Sequence, residues 1–193
     1  MNKNLEKQIF DYLYKHLSPS RFEHSYNVAM LAVELALKHK ENTFKAQIAG
    51  LLHDCAKNME QKEMIKILKK NKGTKLFLDM HKFSPKLLHS FASEVIAKKE
   101  FKIKNKDILN AIKNHTLGRP NMSNLEKIIF VADCGSEDRK FKEAKNICSV
   151  AKTNLDKALL QALQVKMQFV IYDNAWLCPT ALDTWNFYVC KKK

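Results

Sequence analysis

Glycine, proline and long apolar runs are scarce in this sequence. The 193 residues include four glycines and four prolines, and apolar residues rarely alternate with polar ones, which disfavours a β-sheet protein. No stretch approaches the roughly 20 apolar residues that cross a bilayer. The N-terminal segment MNKNLEKQIFDYLYKHL lacks the apolar core of a signal peptide. We therefore expect a cytoplasmic protein without a membrane partner.

The cysteines also exclude two classes of small domain. There are five of them, an odd number, and none forms a C-x-x-C pair. A disulfide framework and a structural zinc site are both disfavoured by this pattern. We expect reduced thiols that pack as small apolar groups.

Apolar residues recur at helical spacing almost throughout, which predicts an all-α protein. Ser84 with Pro85 is typical of a helix start, Ser123 with Glu126 forms a capping box, and Thr180 begins a weaker version of that box. No linker or repeat interrupts the pattern, so we predict one domain over residues 1–193 with roughly ten helices. The predicted helices lie at about 3–17, 21–40, 43–56, 60–71, 85–99, 105–115, 123–133, 140–151, 153–174 and 180–190.

The charge favours polyanionic partners. The formal net charge is +14, but 31 of the 34 basic residues are lysines spread along every predicted helix, as in any lysine-rich protein. The three arginines are more informative, because the planar guanidinium matches phosphate oxygens better than an ammonium does. Arg21, Arg119 and Arg139 each lie within a few residues of a candidate metal ligand.

Two aspartates stand at the ends of strongly apolar helices. Asp54 follows His53 at the end of AQIAGLLHD, and Asp133 ends IIFVAD. An ionised carboxylate is costly in such surroundings unless it is paired or binds a metal. Adjacent His53 and Asp54 offer one nitrogen and one anionic oxygen, a combination that suits a divalent transition metal.

Three further histidines occupy comparable positions. His24 lies one turn before Val28 on an apolar helix face. His89 lies one turn after Pro85, among apolar residues of the next predicted helix, and His115 ends the segment ILNAIKNH. Each alone is more often a hydrogen-bonded core residue than a ligand. Together with the two aspartates they predict a shared polynuclear metal site. The remaining histidines, His16, His39 and His81, are left out of this set.

The order His24, His53-Asp54, Asp133 resembles the HD superfamily of metal-dependent phosphohydrolases. More specifically, RFEH at 21–24, AGLLHDCAK at 49–57, AIKNHTLGRPNMS at 111–123 and LEKIIFVAD at 125–133 resemble the YqeK-type bacterial symmetrical diadenosine tetraphosphatases. The resemblance covers about residues 21–186. It implies an all-α HD-domain helical bundle, two divalent metal ions with iron foremost, and hydrolysis of a dinucleoside polyphosphate to two nucleoside diphosphates, ADP for the adenosine substrate.

The resemblance also assigns residues to roles. It implies that the metal ligands are His24, His53, Asp54, His89, His115 and Asp133. Asp54, Lys57 and Arg139 are then the catalytic residues. The substrate contacts are His24, Asp54, Lys57, His115, Thr116, Asp133, Arg139 and the segment Cys178, Pro179 and Thr180, to which we add Arg119 because of its fork.

One loop departs from the family pattern. After the aspartate the family typically has Tyr-Ile-Glu-Pro-x-Arg, whereas this chain has CGSEDR at 134–139. The spacing to Arg139 is kept, but Ser136 stands at the glutamate position and Glu137 at the proline position. We therefore expect contacts outside the metal ligands to differ in this loop.

Three functions remain open from the sequence. The first is symmetrical hydrolysis of a dinucleoside tetraphosphate, in which two metals lower the pKa of water toward roughly 7. Lys57, Arg119 and Arg139 would neutralise the charge of the polyphosphate. The second keeps the site but makes it a nucleotidase or phosphodiesterase for another nucleotide. The third is a non-catalytic nucleotide- or RNA-binding HD domain, although no nucleic-acid module is recognisable. Fe, Mn, Co, Ni and Zn all suit mixed histidine and carboxylate ligands, and a homodimer is left open.

Overall fold

A computed structural model describes residues 3–68 and 73–190. Over these ranges the chain forms eleven α-helices, a short 3-10 turn at Pro85–Leu87 and no β-strand. This confirms the all-α prediction. The helices are α1 Lys3–His16, α2 Pro19–Lys38, α3 Thr43–Leu52, α4 Gln61–Ile67, α5 Lys75–Phe83, α6 Leu88–Lys99, α7 Lys106–Asn114, α8 Asn124–Gly135, α9 Ala144–Ala151, α10 Leu155–Tyr172 and α11 Pro179–Cys190.

Side-chain caps explain where several helices begin. The side-chain oxygen Oδ1 of Asn42 accepts a hydrogen bond from the Lys45 backbone N–H at 2.9 Å and so caps α3. Ser123 and Glu126 form the predicted reciprocal capping box of α8. The predicted cap at Thr180 is wrong, because Thr180 lies inside the first turn of α11 and Pro179 begins the helix.

Several helices differ from the predictions. The helix predicted over 140–151 begins at Ala144, and the one predicted from Pro85 begins at Leu88 after the 3-10 turn, with no side-chain cap from Ser84. The helix predicted over 43–56 ends at Leu52, so residues 53–58 form turns beyond α3. The sequence does not predict α5, a nine-residue helix capped by Thr74 that buries Phe77 and Met80. The helix predicted over 60–71 becomes α4, and the rest of that prediction falls partly outside the described residues.

The core is built around α8, which packs against α2, α3, α7, α9 and α10. Its residues 128–132 are fully buried, including the large Phe130. A helix that is apolar on every side suits this central position. Asp133 lies in the last turn of this central helix.

The crossing of α2 and α3 depends on a glycine. A Cβ atom added to Gly50 would lie 2.6 Å from the Cα atom of Ala29, a backbone atom that cannot rotate away. The two helices are therefore in direct backbone contact. This close approach brings His24 in α2 near the residues that follow α3.

No helix within residues 3–68 and 73–190 is both long enough and apolar enough to span a membrane.

Replacing Gly50 with alanine should destabilise the fold. The added methyl group overlaps the Ala29 backbone, and we expect a loss of about 1–3 kcal/mol in the free energy of unfolding despite the better helix propensity of alanine. Urea denaturation measures this loss. The matched control is Gly73→Ala, where an added Cβ meets nothing within 4 Å and the expected change stays within about 0.5 kcal/mol. Equal stability of the two variants would contradict the packing account.

Candidate metal centre

Six histidine and aspartate side chains from five parts of the fold meet in the core. His24 lies in α2, His53 and Asp54 directly follow α3, and the others come from the start of α6, the end of α7 and the last turn of α8. All six are buried, although each carries a polar side chain. The structure thus brings together every predicted metal ligand: His24, His53, Asp54, His89, His115 and Asp133.

Asp54, His89 and His115 form one group of potential ligands. The Nε2 atoms of His89 and His115 lie 2.9 and 3.3 Å from Oδ1 of Asp54, and they lie 3.1 Å from each other. Two nitrogens and one oxygen therefore face a common point.

His24, His53 and Asp54 form a second group, with one ligand atom from each lying within 4.8 Å of the others. Oδ1 of Asp133 lies beside it, 3.1 Å from Nε2 of His24 and 3.8 Å from Nε2 of His53. Asp54 belongs to both groups. A carboxylate shared in this way is suited to bridging two cations.

The backbone orients three of the four imidazoles. In His53, His89 and His115, Nδ1 lies 2.6, 2.5 and 2.7 Å from the carbonyl oxygen three residues earlier. A carbonyl oxygen only accepts, so Nδ1 carries the proton and the Nε2 lone pair points into the cluster. Metal-binding histidines typically have this arrangement.

The acceptor atoms that face each other in the cluster suit bound cations, because they cannot hydrogen-bond to one another. The facing Nε2 atoms of His89 and His115 both lack a proton in this tautomer and therefore repel each other. Nε2 of His53 and Oδ1 of Asp54 are buried without a hydrogen-bond donor, although Asp54 lies close to two imidazoles. A buried acceptor left without a partner is costly, and a bound metal ion would satisfy several of these acceptors together.

Burial and mutual attraction keep the ligands in their metal-binding protonation states. Burial lowers the pKa of His53 to about 3, which keeps the imidazole neutral. Burial alone would raise the pKa of Asp54, but the adjacent His53 and His89 hold it well below its ordinary value. The pKa of Asp133 is likewise held well below its ordinary value because Lys166, His24 and Arg139 outweigh burial. Neutral imidazoles and ionised carboxylates are the forms that bind metals.

Cationic side chains surround the cluster where it opens to solvent. Nζ of Lys57 lies 3.1 Å from Nε2 of His89 and 3.5 Å from Oδ1 of Asp54. Arg21 approaches Oδ2 of Asp54 at 3.5 Å, while Arg139 donates to both the backbone carbonyl and the carboxylate of Asp133. These groups remain partly exposed, so they can also meet an anionic ligand.

Two residues of this centre are not predicted from the sequence. Asp138 accepts a hydrogen bond from Nδ1 of His24 at 2.8 Å, and it lies in the loop that departs from the family pattern. Lys166 in α10 donates to Oδ2 of Asp133 at 2.9 Å and to the carbonyl of His115 at 2.8 Å. The unusual loop was a signal for Asp138. Lys166 had none, since it is one lysine among 31.

Arg119 pairs with a carboxylate outside the cluster of candidate metal ligands. Its Nε and one terminal nitrogen bind the two oxygens of buried Glu126 at 2.7 and 2.6 Å, and its other terminal nitrogen donates to the carbonyls of residues 120 and 121. The fork predicted for phosphate is therefore occupied by a carboxylate. We correct the prediction: Arg119 braces the start of α8.

The other predicted substrate contacts follow His115 in the chain or lie at the start of α11. Thr116 follows His115, and the buried Thr116 hydroxyl has no hydrogen-bond partner. Cys178 is buried and precedes Pro179 and Thr180 at the start of α11. The Thr184 hydroxyl lies 3.1 Å from the carbonyl of Leu117 and 2.7 Å from that of Thr180. This hydroxyl holds the start of α11 beside the chain that leaves His115.

Replacing Asp138 with alanine should weaken metal binding without unfolding the protein. The change removes the acceptor that orients His24, and loss of such a partner typically costs about 10–100-fold in metal affinity. Titration of metal-free protein with Mn²⁺ or Co²⁺ measures the affinity. Glu137→Ala is the neighbouring control, expected to bind normally. Unchanged affinity in Asp138→Ala would show that His24 needs no such support.

Acid should destabilise the metal-free protein through its buried histidines. Burial lowers the pKa of His53 from 6.5 to about 3 and also lowers that of His89. The unfolded chain therefore takes up protons below pH 6.5 that the folded chain refuses. Each such histidine removes up to about 1.4 kcal/mol of stability per pH unit as the pH falls below about 6.5.

Urea denaturation in the presence of a chelator, at several pH values between about 7.5 and 5, measures this dependence. His53→Gln should show a shallower loss of stability than the parent protein. The same slope in both proteins would mean that His53 is not held neutral by burial.

Known proteins share this sequence pattern and fold. The HD domain family model matches residues 21–136. The chain is 33% identical to the symmetrical bis(5'-nucleosyl)-tetraphosphatase of Halalkalibacterium halodurans, over 92% of this chain and 94% of that protein. It is 34% identical to the Bacillus subtilis protein of the same name, over 91% and 92% of the two chains.

The fold agrees with a solved structure as well. A crystal structure from Clostridium acetobutylicum, described as a predicted HD superfamily hydrolase involved in NAD metabolism, superposes with a TM-score of 0.90 at 39% identity. The match covers 96% of this chain and 97% of that one. The family match over residues 21–136, the two relatives and the shared fold lead to one conclusion: the chain belongs to the HD domain family of hydrolases.

Proposed function

We propose that this chain hydrolyses dinucleoside tetraphosphates symmetrically, yielding two nucleoside diphosphates. The observation that carries the proposal is the Asp54 carboxylate, which two groups of imidazoles share and which cationic side chains flank. A divalent metal centre beside lysine and arginine suits an anionic phosphate substrate. The relatives named as symmetrical tetraphosphatases, which match about nine-tenths of this chain, support the choice of substrate.

The proposed metal ligands divide between two positions. His24, His53, Asp54 and Asp133 would hold one cation, and Asp54, His89 and His115 the other. Such cations supply Lewis acidity to a phosphoryl oxygen and lower the pKa of water. We propose iron as the resident metal. The same set of nitrogen and carboxylate donors also suits Mn, Co, Ni and Zn.

The chain's own residues would bind and orient the polyphosphate. Lys57 and Arg139 flank the ligand groups from two sides, so together they can neutralise charge that spreads over the phosphoryl oxygens. The resemblance adds Thr116 to this set; its hydroxyl is buried without a hydrogen-bond partner. A nucleoside diphosphate is a good leaving group, and no separate general acid is assigned.

The substrate is symmetrical, with four phosphates linking two nucleosides. Cleavage of the bridge between the second and third phosphates therefore gives two equal halves, which are both ADP when the substrate is diadenosine tetraphosphate. One nucleotide half would lie at Cys178, Pro179 and Thr180, which the Thr184 hydroxyl holds beside the chain leaving His115.

Three further properties belong to the proposal. A single domain over residues 1–193 is supported by one buried apolar cluster that extends from α1 to Tyr188 in α11. A cytoplasmic location is supported by the polyphosphate substrate, and no nucleic-acid partner is required for it. We also propose a homodimer, and the molecular mass of the protein in solution tests it.

A nucleotidase or phosphodiesterase acting on another nucleotide is the alternative that uses the same centre. The description of the similar Clostridium acetobutylicum structure refers to NAD metabolism, which favours this alternative. A panel of mononucleotides, cyclic dinucleotides and dinucleoside polyphosphates with product analysis separates the two. Two diphosphates from one tetraphosphate support the first proposal, whereas inorganic phosphate released from mononucleotides supports the second.

Replacing Asp54 with asparagine should abolish hydrolysis while leaving the protein folded. The change removes the negative charge that both ligand groups share, and we expect kcat to fall by on the order of 10³-fold or more together with loss of metal. Chromatography of ADP formed from diadenosine tetraphosphate, paired with metal analysis, measures both effects. Asp107→Asn is the control, since Asp107 is an exposed partner of Lys45. Undiminished activity in metal-free Asp54→Asn would refute the assignment.

A further inference from the structure

A cavity of about 640 Å³ lies beside the metal centre, between α2, the loop after α8 and α9. This volume falls in the range of small-molecule sites, roughly 300–1,000 Å³. Its lining includes Asn27, Leu31 and Glu34 from α2, Arg139 from the loop, and Cys148 and Ser149 from α9. None of these side chains except Arg139 has a part in the centre described above.

Arg139 connects the cavity to the cluster. Arg139 lines the cavity, while one terminal nitrogen lies 3.1 Å from Nε2 of His24 and Nε donates to the carbonyl of Asp133 at 2.7 Å. A phosphate held at the cluster can therefore share this guanidinium with a group that enters the cavity.

The spacing along α2 suits such a ligand. Asn27, Leu31 and Glu34 follow His24 at helical intervals on the cavity side of the helix. At 1.5 Å per residue, Leu31 lies about 10 Å and Glu34 about 15 Å along the axis from His24. The stripe thus extends from the metal centre over a length comparable with an extended nucleoside diphosphate.

The lining has the mixed character that a nucleoside needs. Leu31 and Ala144 are buried, Cys148 is half-buried and Met30 is half-exposed, so they offer apolar surface to the faces of a base. Asn27 and Glu34 offer an amide and a carboxylate that can bind amino and ring-nitrogen groups at its edge. Glu34 already pairs with Lys152 at 2.8 Å, at the exposed rim.

The cavity and α11 are linked to different histidines of the cluster. Arg139, which lines the cavity, contacts His24, whereas the start of α11 is tied to the chain that leaves His115. We propose that this cavity binds the second nucleoside of the substrate, while the first lies at the start of α11. This inference rests on the proposed function, because a substrate cut at its centre must extend from the metals in both directions.

Filling the cavity tests the inference. Ser149→Trp places an indole in it from an exposed position on α9, and Asn146→Trp adds the same group to an exposed position of α9 outside the lining. Steady-state kinetics compare diadenosine tetraphosphate with adenosine 5'-tetraphosphate, which carries a single nucleoside. In Ser149→Trp we expect KM for the dinucleotide to rise at least about tenfold with kcat little changed, as for loss of ground-state binding.

The comparisons separate binding at the cavity from general damage. KM for adenosine 5'-tetraphosphate should change by less than about twofold in Ser149→Trp, and Asn146→Trp should match the parent protein with both substrates. Met30→Glu, which places a charge on the apolar wall, should raise KM for the dinucleotide in the same selective way.

Either of two results would overturn the inference. The first is an unchanged KM for the dinucleotide in Ser149→Trp, and the second is an equal rise for both substrates. Failure of the parent protein to form ADP from diadenosine tetraphosphate is a separate outcome, because it removes the proposed function and this inference together.

Discussion

The sharing of Asp54 between two groups of imidazoles is the constraint on which the rest of this structure depends. A buried, ionised carboxylate is costly, and Asp133 adds a second one only 3.8 Å from His53. The lysines and arginines at the edge compensate part of this charge, but His53 and Asp54 keep polar atoms without hydrogen-bond partners. The fold therefore holds a site whose stability and chemistry both improve when cations enter it.

Helix ends supply the rigidity that such a site requires. The last carbonyl groups of an α-helix have no partner within the helix, and here the carbonyls of Gly50 and Ile112 accept from His53 and His115. One hydrogen bond thus satisfies a helix terminus and fixes the tautomer of a ligand. Gly50 also allows the close contact of α2 and α3 that positions His24. Packing and ligand geometry are therefore coupled at the same residue.

The loop that departs from the family pattern still supports the centre. Asp138 orients His24 and Arg139 binds Asp133, so both residues act on the same half of the cluster. Lys166 adds a third contact to that half from α10. Arg139 also lines the neighbouring cavity. The loop therefore contacts both the candidate metal centre and the cavity that we propose for the second nucleoside.

Local chemistry made much of this protein predictable from its sequence alone. Helical spacing and caps such as Ser123 with Glu126 indicate most helices, because these signals act within a few residues. Asp54 and Asp133 could be selected as candidate ligands because a carboxylate at the end of an apolar helix needs a partner, and the resemblance to the HD superfamily assigned the four histidines to the same role. The helix α5 escaped prediction because it spans only nine residues and buries only two side chains, Phe77 and Met80.

Only the tertiary structure decided where the long cationic side chains lie. Arg119 binds Glu126 instead of meeting phosphate, and Lys166 reaches Asp133 across 33 residues of sequence. The cavity beside Arg139 likewise exists only because α2 and α9 flank the same loop. Side-chain direction and the spaces between helices depend on how distant elements pack, and spacing along the chain carries no information about that packing.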